Sequence, residues 1–292
     1  MKSDQRHYPR CIFSVDVEDW FHILQISAAP GVREWDDLPS RVQMDFLRLL
    51  DLFDETATKV TCFFLGWVAE RYPHLVREAL ARGHEVASHG YAHQLVFEQS
   101  RGEFLEDVRR GKFVVEDAGG RAVNGYRSPG FSATPRTSWF FECLVEAGYE
   151  YDSSVFPARR THGGAVNARR DPHVIETQSG PIQEFPVSVA VVAGHPMCFF
   201  GGGYLRLFPY SWIRRAAEQV IAKGWPVIFY VHPREIDPDH PRLNMSLSRR
   251  IKSYVNLHTT ERKILNITAD FPISTFRDFI DDQQAQSLHR PV

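Results

Sequence analysis

Short apolar runs recur along this chain, and each is followed by a longer stretch whose apolar residues fall at helical spacing. The runs lie at residues 11–16, 59–65, 85–88, 123–127, 182–189 and 226–231. Several are apolar without alternation, as strands buried on both faces of a parallel sheet must be. Between them, residues 40–55 carry Val42, Phe46, Leu49, Leu50 and Phe53 after Pro39, and residues 73–82 end against Gly83. Ser100 and Glu103 form a capping box that opens a helix running to Gly119-Gly120, Thr134-Pro135 opens one that Gly148 ends, and residues 212–223 stop at Gly224 before the run PVIFYV. Repeated βα units around a parallel sheet or barrel are the α/β architecture this order predicts, with no internal sequence repeat.

The length of 292 residues suits one large α/β core. Residues 1–235 read as the barrel. Residues 236–292, where the composition turns to HPREIDPDHPRL and then to two helical stretches at 247–257 and 260–269, read as a C-terminal extension packed on it, too short for much core of its own. With 34 basic against 36 acidic side chains there is no global field to draw nucleic acid or anionic lipid. One local basic candidate is Arg159, Arg160, Arg169 and Arg170 around Gly163-Gly164, which reads as a solvated loop or an anion-binding lip. No apolar leader precedes the first run and none reaches the ~18 residues a membrane span needs, so the expected location is cytoplasmic. Cys11, Cys62, Cys143 and Cys198 are widely spaced and sit mostly in apolar runs, which predicts buried free thiols and a reducing compartment.

Polar residues gather where the predicted strands end, the edge at which α/β folds bind ligands. The first run ends in SVDVEDW, placing Asp16, Glu18 and Asp19 together; such close carboxylates raise each other's pKa unless a cation sits among them. After the third run, SHGYAH sets His89 and His93 four apart, a chelating spacing on a helical turn. The neighbouring His84-Glu85 and His89 mimic a metalloprotease HExxH but with one residue too many, and Glu85 begins a strand. GYRSPGF contributes Arg127, a permanent cation that can keep a carboxylate ionised, YEYDSS contributes Asp152, and VIFYVHP sets His232 at the end of a strongly apolar strand. Trp20, Phe21, Phe131 and Tyr204, near Gly201-Gly202-Gly203, are candidates for stacking on sugar faces or for plain barrel packing.

In this order the segments resemble the five motifs of the NodB-homology polysaccharide deacetylases, carbohydrate esterase family 4. SVDVED resembles the first motif, SHGYAH the His-x-x-x-His metal motif, RSPGF the Arg-x-Pro motif, and YDSS and FYVHP the last two. DVEDWFH, SHGYAHQLV and HPREIDPDHPRL followed by YVNL are similar, more narrowly, to the subfamily encoded with exosortase (PEP-CTERM) exopolysaccharide loci. The resemblance implies a distorted (β/α)7 barrel and a metal-dependent hydrolase that removes N-acetyl groups from amino sugars of a polysaccharide or its oligosaccharide precursor, in exopolysaccharide biosynthesis. It makes Asp16 the general base and His232 the general acid, with His89, His93 and an acid of the first motif holding a divalent ion, most simply Zn2+. Asp19 is the expected carboxylate ligand and Glu18 the alternative. Arg127 would hold Asp16 ionised, Asp152 would shape the site, and the backbone N–H of Gly130, which stands where the family usually has an aromatic, would face the oxyanion. Two other readings fit such a chain: a metal-independent hydrolase of small cyclic amides, allantoinase-like, and a carbohydrate-binding protein with a dead site.

Overall fold

The computed structural model describes residues 11–160 and 163–288; the leader reading of residues 1–10 lies outside the described residues. Strands β1 (Cys11–Val17), β2 (Thr61–Phe64), β3 (Glu85–Ser88), β4 (Gly125–Tyr126) and β5 (Tyr151–Asp152) lie side by side in parallel. A hairpin of β6 (His173–Thr177) and β7 (Gly180–Glu184) continues the sheet through β5·β7, and β8 (Ala190–Val192) pairs with β9 (His195–Met197) separately. At the other edge β10 (Ile228–Val231) runs parallel to β1, and β11 (Ile273–Ser274) extends β1 at its start. The sheet order is β10-β1-β2-β3-β4-β5-β7-β6.

The helices are α1 (Val42–Glu55), α2 (Gly66–Arg71), α3 (Pro73–Ala81), α4 (Arg101–Gly119), α5 (Phe140–Glu146), α6 (Gly202–Leu207), α7 (Tyr210–Ile221), α8 (Leu247–Tyr254), α9 (Thr260–Asp270) and α10 (Phe276–Leu288). The Ser100 capping box opens α4 as the sequence predicts, with Ser100 N–H donating to Glu103 Oε2 at 2.8 Å. The helix predicted from Thr134 starts only at Phe140, because Thr134 and Thr137 spend their polar groups on a turn of their own. The run at 182–189 leaves the ladder after Glu184, and residues 188–201 fill the gap between β7 and β10: Ile228 N–H donates to Ser188 Oγ at 2.9 Å and Tyr230 N–H to Phe200 O at 3.0 Å. That side-chain and loop closure, instead of a full ladder, is what distorts the barrel.

Two packed regions follow from strand parity, since successive side chains leave a strand on opposite faces. Ile12, Phe63, Ala87, Tyr151, Phe185 and Ile228 meet inside the barrel, where Phe276 of α10 plugs its base. The alternate residues of β1, namely Cys11, Phe13, Val15 and Val17, pack outward with Phe46, Leu49 and Phe53 of α1. The C-terminal segment is woven into this core, with Ile264, Ile267 and Phe271 packed on the outer layer. All four cysteines are buried and free.

Candidate active site

The same parity decides which polar residues reach the barrel mouth. Counting upward in steps of two from the interior residue of each strand gives Ser14, Asp16 and Glu18 from Ile12, His89 from Ala87, Arg127 from Gly125, Ser153 from Tyr151, and Tyr230 and His232 from Ile228. Gly125 is small by necessity, because a Cβ there would lie 2.0 Å from the Tyr151 ring. Of these side chains, Asp16, Glu18, His89, Tyr230 and His232 line a cavity of about 220 Å3 at the carboxyl end of the sheet, together with His22 and His93.

Glu18, His89 and His93 are buried and each offers a ligand atom, all within 4.8 Å of one another. His89 Nδ1 lies 2.8 Å from Arg127 O. A carbonyl only accepts, so Nδ1 carries the proton and the Nε2 lone pair is free. Burial pushes the His89 pKa down to about 4, which keeps the ring neutral, as a ligand must be. Burial alone would raise the Glu18 carboxyl, but His93 and His232, with Arg234 behind them, outweigh it and hold it far below the usual carboxylate range. Glu18 Oε2 sits 2.5 Å from His93 Nε2. One carboxylate and two imidazoles of this kind are the donor set of a hydrolytic zinc site, so the residues present fit a divalent ion.

The Asp19 expectation is corrected here. Its odd parity turns it out of the barrel, where Oδ2 accepts from Ser40 Oγ at 2.5 Å and from Val42 N–H at 3.3 Å, Arg41 N–H approaches at 3.1 Å, and Oδ1 accepts from Trp20 N–H at 2.8 Å. It satisfies the free amides at the start of α1, so Glu18 stands with the histidines in its place. The histidine pair is also held otherwise than predicted. Residues 89–93 form a loop with Gly90 and His93 in the left-handed region, and Asp107 of α4 pins it by accepting from Tyr91 N–H and Ala92 N–H, both at 3.0 Å. Nothing in the local pattern marked Asp107, which lies on a helix distant in sequence.

Asp16 and Arg127 are both fully buried and paired, with Nη1 2.7 Å from Oδ1; Arg127 also donates to Ser14 Oγ at 2.7 Å and Ser153 Oγ at 3.1 Å. His232 Nε2 lies 3.8 Å from Asp16 Oδ2 and 3.7 Å from Glu18 Oε1, too far to be consumed by either. Its Nδ1 is 2.5 Å from Glu235 Oε1, and Arg206 Nε in turn lies 3.0 Å from Glu235 Oε2. Although burial pulls the His232 pKa down, the Glu18 and Glu235 carboxylates raise it above its ordinary value. Burial would likewise raise Glu235, yet Arg206 and His232 bring it down to about 2.

Asp152 is not in the cavity. Its parity is opposite to that of Tyr151, so it points through the barrel wall to Glu184, its register partner, and its carboxylate accepts from Ser154 N–H and Oγ at 3.0 and 2.6 Å. Burial raises both carboxyls, Asp152 to about 6, and Glu184 well above its usual range with Asp152 adding to the effect. Ser154 Oγ then accepts from Ser128 N–H at 2.7 Å, so Asp152 braces the RSPGF turn from behind. Of the aromatics singled out in the sequence, Phe131 and Tyr204 line the cavity, whereas Trp20 and Phe21 are packed in the outer core. Missed altogether was His22, whose Nδ1 accepts from Asp19 N–H at 3.0 Å and whose buried Nε2 has no partner; its signal was its place in DVEDWFH.

Residues 34–151 match the family described as Polysaccharide deacetylase, and residues 153–281 match one described as Domain of unknown function (DUF3473). His89, His93 and Arg127 fall in the first match, His232 in the second, and Asp16 and Glu18 before both. Over 112 residues the chain is 30% identical to a peptidoglycan deacetylase of Helicobacter pylori, covering 37% of this chain and 36% of that protein. The chain thus spans less than half the length of the curated relatives it matches. In fold it is similar to a Mycobacterium smegmatis protein solved as a candidate polysaccharide deacetylase, with TM-score 0.65 and 20% identity over 97% of this chain and 94% of that one. It is also similar to Puue allantoinase, with TM-score 0.61 and 16% identity over 94% and 90%. The chain therefore has the α/β fold shared by these proteins, and its residues 34–151 are similar to the polysaccharide deacetylase family.

Proposed function

We propose that this protein is a divalent-metal-dependent hydrolase that removes N-acetyl groups from amino sugars of a polysaccharide or its oligosaccharide precursor. The observation that carries this reading is the convergence of Glu18, His89 and His93 within 4.8 Å, beside the Asp16–Arg127 pair and His232. Zinc best suits one carboxylate and two neutral imidazoles, and when bound it supplies Lewis acidity toward the acetamide carbonyl and acidifies water. Asp16, paired with Arg127, accepts a proton from the attacking water. His232, held by Glu235 through Nδ1, presents Nε2 to the cavity and donates a proton to the departing sugar amine. Arg127 and Arg206 are the cations paired with the two carboxylates, Asp16 and Glu235. Four buried free thiols support action in a reducing compartment, and the resemblance of DVEDWFH, SHGYAHQLV and HPREIDPDHPRL to the exosortase-locus subfamily supports an exopolysaccharide precursor as substrate.

The test is acetate release from N-acetylglucosamine oligomers by metal-stripped protein reloaded with Zn2+, Co2+ or Mn2+. We expect no release from stripped protein and recovery on reloading. Stripped protein that stays active, and prefers cyclic amides, would instead support the allantoinase-like reading that the fold also accommodates.

A further inference from the structure

Among the described residues, several of the buried side-chain nitrogens that lack a partner line this one cavity: His22 Nε2, Arg234 Nε and Nη1, and Arg249 Nε. Each is a donor. His22 Nδ1 accepts a backbone N–H, so Nε2 holds the ring proton, and guanidinium nitrogens only donate. A buried donor without an acceptor is costly, and several around one cavity call for a common acceptor. The acceptors at hand are few. Arg127 takes Asp16 and Arg206 takes Glu235, while Arg234 reaches only Glu18 Oε1 at 3.8 Å, and Glu18 belongs with the two histidines.

Arg160 and Arg249 have no carboxylate within 4.0 Å among the described residues. Arg160 lies over the Phe131 and Phe156 rings and donates to Gly130 O at 3.0 Å; Arg249 comes down from α8 and donates to Leu24 O. Arg160, Arg234 and Arg249 line the same cavity, and Arg249 is brought below its usual pKa by burial and then by the other two guanidiniums. The roof of the cavity is therefore electropositive before any metal is counted, and a divalent ion would make it more so. Such a cavity recognises an anion by charge-assisted, bidentate hydrogen bonds.

We propose that Arg160, Arg234 and Arg249 form a binding site for an anionic group, carboxylate or phosphate, carried by the acetamido sugar or its immediate neighbour. This deepens the deacetylase reading and rests on it for the identity of the sugar. It makes the substrate an acidic glycan or a sugar phosphate, and it gives the C-terminal segment, through Arg249 on α8, a part in choosing it.

The test compares acetate release by the zinc-loaded full chain from four probes: the neutral N-acetylglucosamine tetramer, a tetramer alternating N-acetylglucosamine with glucuronate, N-acetylglucosamine 1-phosphate, and its neutral methyl glycoside. Binding of each is measured in parallel by calorimetry. At least one anionic probe should show a KM or Kd about tenfold below that of its neutral partner, an advantage that shrinks at high salt. The arm with the larger advantage identifies the anion as carboxylate or phosphate. In R249Q and, separately, R160Q the ratio of anionic to neutral affinity should fall toward one, with folding checked by circular dichroism and the ratio partly restored in R249K. Acetate release with equal affinity for anionic and neutral probes overturns the anion site and leaves the deacetylase reading standing. Charge-dependent binding that the variants abolish, without acetate release from any probe, supports the site and overturns the deacetylase reading. Neither turnover nor charge-dependent binding overturns both.

Discussion

Asp16, Glu18 and Asp19 lie within four positions of one another, yet the fold gives them three different neighbourhoods. Asp16 meets a buried guanidinium, Glu18 meets two histidines, and Asp19 meets the backbone amides of α1. Two substitutions separate the last pair. Glu18→Gln should lose most bound metal, measured by atomic absorption on purified protein, with little change in melting temperature. Asp19→Ala should keep its metal but lose about 1–3 kcal/mol of stability in denaturant unfolding, because the amides of Trp20, Arg41 and Val42 are left without their acceptor. Asp16→Asn and His232→Ala should each lower turnover by roughly 10²–10⁴-fold with metal content near wild type; wild-type turnover in either removes that residue from the mechanism. Because carboxylates hold the His232 pKa above the ordinary imidazole value, the proton donor persists to higher pH than a free histidine would. The high-pH fall in kcat/KM should therefore move to lower pH in Glu235→Gln, which removes one of those charges.

At the scale of elements, the loop from His89 to His93 owes its shape to α4. The sequence spacing suggested a helical turn; the chain instead takes left-handed backbone at Gly90 and His93, stabilised by two amide bonds to Asp107. Asp107→Ala should loosen that loop and weaken zinc affinity about 10–100-fold, read by competition with a chromophoric chelator, while His89 and His93 are both still present. Unchanged affinity would mean that the loop is held by other contacts. Asp152 teaches the same lesson from the other side of the wall: one residue along β5 decides between a place in the cavity and a place behind it.

For the whole molecule, the segment after β10 couples the site to the outer layer. Arg41 at the start of α1 pairs with Asp237 at 2.7 Å, and Asp45, one turn on, is buried beside them. Burial, then the Asp237 charge, push the Asp45 pKa up to about 7. A folded-state pKa above the unfolded value of an acid means that ionisation disfavours the fold: the cost is small at pH 4, close to the unfolded pKa, and nearly complete above about pH 7. Asp45→Asn should therefore match the wild type in thermal stability near pH 4 and exceed it by about 1–2 kcal/mol at pH 8. A constant difference across that range would show that Asp45 does not titrate in the folded protein. No helix among the described residues is long and apolar enough to cross a membrane.

What the chain determined by itself was the alternation of apolar runs and helices, the strand ends at which chemistry gathers, and the chemical types Asp, His, Arg and His brought there in order. Those features are local, because propensity, capping and periodicity act over a few residues. Which of two adjacent acids faces the histidines, that Asp152 stands behind the wall, that Asp107 ties the histidine loop, and that Arg160 and Arg249 meet over one cavity were decided only by tertiary structure. Strand parity becomes absolute only once the register of the neighbouring strands says which face is inside, and ion pairs across a hundred residues exist only after the barrel has closed.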